Sequence, residues 1–186
     1  RHRRMTLTVD FHAHHFPVGL PDMGAATGDP RWPRLDPANP PRLMRGDDVF
    51  RVVRSVCFDP VERLVELDAA GIDHQVLSPV PVTLVDWAAP ADAARFLAAQ
   101  NDALAAIAQG SGGRFLTLGA VPLQDTGLAI AEMARIRDDL EMDGIEITAM
   151  VDGRELDHDS LDPFWAAAAA EQVPIFIHPA HQQSAI

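Results

Sequence analysis

From residue 59 to residue 178 one physical pattern recurs, and it restricts the chain to very few folds. A helix start, a helical run of apolar positions and a stop lead into a short, continuously apolar segment, after which the cycle begins again. Asp59-Pro60 offers an N-cap followed by proline at the first helical position; Val61, Leu64, Val65 and Leu67 follow at helical spacing, and Gly71 ends the run. HQVLSPV (74–80) then has the character of a strand buried on both faces. The spacing predicts further helices from about Pro90 to Gln109, closed by Gly110, from Thr126 to about Leu140, and from Asp162-Pro163 through FWAAAAAEQ. Strands are predicted over TLTVDF (6–11), RFLTLGAV (114–121), GIEITAM (144–150) and VPIFIH (173–178). Parallel neighbours cannot be joined by a tight hairpin, so apolar strands separated by helices imply right-handed crossovers and a parallel sheet. The reading is α/β, one domain over residues 1–186, with five strands and four connecting helices.

Residues 15–58 interrupt this order as an insertion after the first strand. Pro17, Pro21, Pro30, Pro33, Pro37, Pro40 and Pro41 exclude an ordinary helix there. Within the insertion, LMRGDDVFRVV (43–53) reads as a hairpin turning at Gly46-Asp47-Asp48.

Charge narrows the function. The formal net charge is −12, which argues against general affinity for nucleic acid or anionic membrane, and no apolar stretch approaches a membrane span. The basic RHRR lies ahead of Met5 without an apolar signal core behind it, so a cytoplasmic protein is expected. Cys57 is the single cysteine, which excludes an intrachain disulfide and a cysteine metal cluster and suits a buried thiol. All fifteen basic residues are arginine, so Schiff-base chemistry, a P-loop lysine and a lysine-bridged metal pair are all excluded.

The chemistry collects at VDFHAHHFP (9–17). Strand alternation puts Asp10, His12 and His14 on one face and Phe11, Ala13 and His15 on the other. Two imidazoles two residues apart can share a metal ion, and His178, at the end of the fifth strand, brings a third to the same end of a parallel sheet, where functional groups gather. Three nitrogen ligands suit Zn2+, with positions left for carboxylate, water or substrate. The alternative for His178 is a backbone hydrogen bond that caps its strand, and His15, His74, His158 and His181 are expected to face solvent or satisfy loops.

Residues 31–54 carry six arginines against Asp36, Asp47 and Asp48. Most of these arginines are expected to pair with the protein's own acids in water. Arg51 differs, because Val49, Arg51 and Val53 alternate with Phe50 and Val52 on the hairpin. A guanidinium fork carried on an ordered strand near a metal suits a small carboxylate substrate.

Together RGDDVFRVVRSVCFDPVERLVELDAAGIDHQVLSPVPV (45–82), VDFHAHHFP, QNDALA, RFLTLGAVPLQD and IFIHP resemble the amidohydrolase superfamily, and within it the α-amino-β-carboxymuconate-ε-semialdehyde decarboxylase family. The resemblance covers most of residues 7–179 and departs from the family pattern at Phe58, Ala180 and TAMV. It implies a (β/α)8 TIM barrel that binds one zinc and removes a carboxyl group without oxidation, as a homodimer. Carried over by position, it implies His12, His14 and His178 as zinc ligands and Arg51 as a contact to the substrate carboxylate. A full barrel takes about 250 residues, so the chain is expected to supply the first part of one. The resemblance places the acid–base residue and an aspartate ligand beyond Ile186. Alternatives are a metal-dependent amidohydrolase-type hydrolase, since H-x-H also opens barrels that hydrolyse with metal-bound hydroxide, or a non-catalytic metal-binding subunit.

Overall fold

The computed structural model describes residues 6–179; RHRR, Met5 and His181 lie outside them. Strand β1 (Val9–His15) enters an insertion that holds helix α1 (Met23–Thr27) and strands β2 (Pro33–Asp36), β3 (Arg42–Arg45) and β4 (Asp48–Val52). The chain then alternates through α2 (Pro60–Ala70), β5 (His74–Pro79), α3 (Pro90–Gln109), β6 (Phe115–Gly119), α4 (Thr126–Asp138) and β7 (Gly144–Thr148). A small ribbon of β8 (Met150–Val151) and β9 (Arg154–Glu155) precedes α5 (Asp162–Ala170) and β10 (Ile175–His178).

Five strands form one sheet in the order β1-β5-β6-β7-β10, with every neighbouring pair parallel. Each of α2, α3, α4 and α5 bridges neighbours in that order, as the alternation of apolar runs and capped helices requires. The sheet is curled. Among the described residues its two edge strands do not pair with each other, yet the rings of Phe11 and Phe176 lie 6.0 Å apart and those of His12 and His178 5.2 Å apart. The first and last strands therefore face each other across the concave side, while the helices cover the convex side.

The main core lies between sheet and helices. Ile145 and Ile147 of β7 pack with Leu104, Met133, Ile136 and Phe164, and Leu77 and Phe115 pack with Leu67 of α2. Gly144 has a steric role here, because a Cβ on it would stand 2.7 Å from the Pro174 carbonyl oxygen and push β10 away from β7.

Several boundaries and faces differ from the sequence reading, each for a physical reason. The first strand is Val9–His15 rather than 6–11, so the histidines lie within it. It is bulged: Asp10 registers with Gln75 and Ala13 with Leu77, so that Phe11 and His12 together oppose Val76. The extra residue breaks simple alternation. Asp10 turns outward and accepts a hydrogen bond from Gln75 Nε2 at 2.7 Å, while Phe11 joins His12 in contact with Phe176. Between Pro21 and Pro30 the chain still makes the five-residue α1, capped by the Asp22 carboxylate, and β2 adds a third strand to the expected hairpin. Strand β7 stops at Thr148, and the N-cap of α5 is Leu161 rather than Asp162.

Helix α2 starts and stops as expected, with Asp59 accepting from the amides of Val61 and Glu62 and with Gly71 at φ +69°. Its buried face is only partly the expected one, since Leu64 and Leu67 do pack against the sheet. Val61 and Val65 are exposed, whereas Leu67 and Arg63 are buried. The Arg63 guanidinium lies under the helix and donates to the carbonyls of Val56 and His14 and to Gln75 Oε1, at 2.8–3.0 Å.

Asn101, fully buried on α3, holds the end of β6 by both backbone groups of Ala120: its Nδ2 donates to the Ala120 carbonyl and its Oδ1 accepts from the Ala120 amide, each at 2.9 Å. Replacing it by alanine strands two buried backbone groups. We expect Asn101→Ala to lower unfolding free energy by about 2–3 kcal/mol, read from the midpoint of urea denaturation.

Candidate metal centre

His12 and His14 come from β1 and His178 from the end of β10, and the curl of the sheet brings them together. One ligand atom from each lies within 4.8 Å of the other two. His12 Nε2 and His14 Nε2 are 3.1 Å apart. Two nitrogens bound to one ion at 2.0–2.1 Å, with an angle between about 90° and 110°, stand about 2.9–3.3 Å apart, so this pair has the separation that a shared ion requires. His14 is oriented by its other nitrogen, which donates to the Pro79 carbonyl at 2.8 Å and lies 3.0 Å from Ser78 Oγ. With the proton on Nδ1, the Nε2 lone pair is directed at the cluster. His178 Nδ1 is buried without a hydrogen-bond partner among the described residues.

The electrostatics favour the neutral form of His14 and His178. Burial, then the neighbouring His178 and His12, push the His14 pKa down to about 4, and burial with His12 lowers that of His178. Neutral imidazoles offer lone pairs at neutral pH, which is the state a metal ligand needs. On the concave side Phe176 packs against the ring of His12 at 5.2 Å, next to the half-buried histidines.

The structure thus brings together the three histidines that the sequence singles out. Arg51 lies elsewhere in character: it sits on the exposed strand β4, registered with Leu43, and makes no hydrogen bond or ion pair among the described residues. Its neighbours follow the solvated-loop expectation. Arg31 pairs with Asp29 at 2.6 Å and lies over Trp87, Arg42 pairs with Asp36 at 2.5 Å, and Arg54 pairs with Glu66. His74 donates to the Gly113 carbonyl and exposed His158 caps the short turn at Ser160, as expected of loop histidines. His15 departs from that expectation. It is fully buried, both ring nitrogens lack partners among the described residues, and burial and then Arg63 push its pKa down to about 3. Cys57 is half-buried rather than buried.

Glu146 escaped the sequence reading. It lies on β7, fully buried, with neither carboxyl oxygen hydrogen-bonded among the described residues. Burial raises its pKa to about 7, with the Ser78 hydroxyl opposing the rise. It lines a water-sized cavity with Asp86, Gln124 and Thr148. Asp86 follows Val85, which is held at φ +44° and whose carbonyl accepts from Gln124 Nε2 at 2.7 Å. The signal was present as a single acid inside the apolar run GIEIT.

The amidohydrolase family model matches residues 9–186. The chain is 35% identical over 176 residues to a 2-amino-3-carboxymuconate-6-semialdehyde decarboxylase of Dictyostelium discoideum, covering 94% of this chain and 49% of that protein. It is 29% identical over 181 residues to a 6-methylsalicylic acid decarboxylase of Aspergillus aculeatus, covering 95% and 49%. The fold matches that of a dihydroxybenzoic acid decarboxylase from Polaromonas, solved with manganese and the inhibitor 2-nitroresorcinol, with TM-score 0.73 at 20% identity over 97% of this chain and 51% of the other. The chain spans about half the length of these relatives.

Glu146 gives a signed pH dependence. Its folded pKa of about 7 lies above the ordinary 4.5, so the neutral form is the stable one in the fold. Its contribution is complete below pH 4.5 and is lost as pH rises through 7. Relative to Glu146→Gln, the unmodified protein should lose about 3 kcal/mol between pH 4 and pH 8 and change little above that, measured by denaturation midpoints across pH.

Proposed function

The chain belongs to the amidohydrolase family, and we propose that it carries the metal-binding part of a non-oxidative decarboxylase acting on a small unsaturated or aromatic carboxylate. The observation that carries this reading is the convergence of His12, His14 and His178 from opposite edges of the sheet on one point. The decarboxylase activities of the relatives supply the reaction class.

In this reading the three histidines hold one divalent ion. Zinc is the choice of the nitrogen donors, although the Polaromonas relative holds manganese. Once bound, the ion supplies Lewis acidity toward a carboxylate or the conjugated system. The chain's own residues do the rest. His14 is held in one tautomer by the Pro79 carbonyl, and Phe11 and Phe176 offer aromatic faces to an unsaturated substrate beside the histidines. Arg51, carried on the exposed strand β4, is the carboxylate contact in this reading. The bond to CO2 breaks, its electron pair stays on the substrate carbon, and a proton must reach that carbon. The acid–base residue for that proton lies in the part of the family's barrel beyond this chain, so residues 1–186 alone are expected to show no turnover. The working protein is a cytoplasmic homodimer.

Two measurements test this reading. The protein with a complete barrel, loaded with zinc or manganese, should release CO2 from hydroxybenzoate or amino-carboxymuconate substrates, and His178→Ala should abolish both turnover and stoichiometric metal. Hydrolysis of an amide or lactone without CO2 would replace decarboxylase by hydrolase. Arg51→Ala should weaken binding of a carboxylate inhibitor by about 1.5–3 kcal/mol, the scale of a lost charge-assisted hydrogen bond. An unchanged dissociation constant returns Arg51 to the solvated loop.

A further inference from the structure

Ser78, near the end of β5, has an unfinished hydrogen-bond account. It is 2% exposed, and its only hydrogen-bond neighbour among the described residues is His14 Nδ1 at 3.0 Å. That nitrogen carries the hydrogen it donates to the Pro79 carbonyl at 2.8 Å, so Ser78 Oγ can only accept from it. The hydroxyl hydrogen is then left inside the protein without an acceptor, and an unmet buried polar group is costly. Glu146 has the converse deficit, with two buried oxygens that no donor among the described residues satisfies. Leu77, Ile145 and Ile147 face the helices, so Ser78 on β5 and Glu146 on β7 share the opposite face of the sheet with one strand between them, and the Ser78 hydroxyl opposes the effect of burial on the carboxyl. Strand register also places Glu146 beneath the histidines. It shares a face of β7 with Thr148, which registers with His178, and it registers with Phe176, whose ring packs on His12.

We infer that Glu146 is a positioning residue for the metal centre: it accepts the hydroxyl hydrogen of Ser78, which fixes Ser78 Oγ on the His14 Nδ1–H and holds the His14 Nε2 lone pair toward His12 and His178. This rests on the three-histidine reading of the site. The carboxyl never touches the ion or the substrate. It acts through Ser78 and one ring, as outer hydrogen bonds to ligating histidines do.

The test is metal affinity rather than turnover. Zinc dissociation constants are measured against a chromophoric chelator for the unmodified protein, Glu146→Leu, Glu146→Gln, Ser78→Ala and the double variant Ser78→Ala/Glu146→Leu, with melting temperature as the folding control. Glu146→Leu and Ser78→Ala should each weaken zinc binding about 10–100-fold. The double variant should lose no more than the worse single variant, because one chain of bonds is broken in each case. Glu146→Gln, which keeps an acceptor oxygen, should restore most of the affinity, and in the cobalt-loaded protein its visible spectrum should match that of the unmodified site. If Glu146→Leu fails to fold, Glu146→Gln and Ser78→Ala decide by the same criteria. Affinity unchanged in Glu146→Leu or Ser78→Ala, or losses that multiply in the double variant, would overturn the inference and leave the three-histidine site intact. Absence of stoichiometric zinc in the unmodified protein would overturn the site as well.

Discussion

The buried guanidinium of Arg63 is the interaction on which the placement of the site depends. It joins four segments: α2, which carries it; the end of the insertion, through the Val56 carbonyl; β5, through Gln75; and β1, through the His14 carbonyl. Gln75 passes the link on to Asp10, so both ends of β1 are tied to one cation and its amide partner. A guanidinium under a helix is costly unless its donors are satisfied, and here three different acceptors satisfy it. The backbone of a candidate ligand is thereby fixed by a residue on the other side of the sheet. Hydrophobic packing of α2 alone could not do this, since Val61 and Val65 point into water.

Much of the architecture was legible because helix signals are local. Asp59, Gly71, Pro90 and the apolar runs between helices set the order of elements correctly, and parallel crossovers followed from that order. What escaped depends on contacts distant in sequence. Nothing near Arg63 says that its charge will be met by Val56, His14 and Gln75, so the apolar spacing of Val61, Leu64, Val65 and Leu67 was the only local guide, and the two valines prove exposed. The bulge in β1 arises from pairing with β5, some 65 residues away, and local alternation cannot reveal it. The three histidines were legible because each sits where an apolar strand ends, whereas His15 and Glu146 reveal themselves only through burial without partners.

The apolar side chains left in water fall into groups. Val49, Phe50 and Val52 lie on β4 of the insertion, while Leu7, Val9 and Phe11 lie on or beside the first strand of the sheet, Ile177 on the last, and Val61 and Val65 on α2. The two sheet edges among these are where the remaining strands of an eight-stranded barrel would pack. The matching relatives are about twice as long as this chain, which agrees with that distribution.

The bulge at Phe11–His12 divides the chain into parts that tolerate changes of length differently. One residue removed from β1 would restore plain alternation and swing a histidine from the concave to the convex side, so a deletion there is equivalent to losing a ligand. Between the end of β1 and Arg54, by contrast, the chain leaves the sheet and returns to it, and residues can be gained or lost without altering any parallel register. Divergence by insertion and deletion is therefore channelled into the segment that carries Arg51, while the histidine frame stays constant.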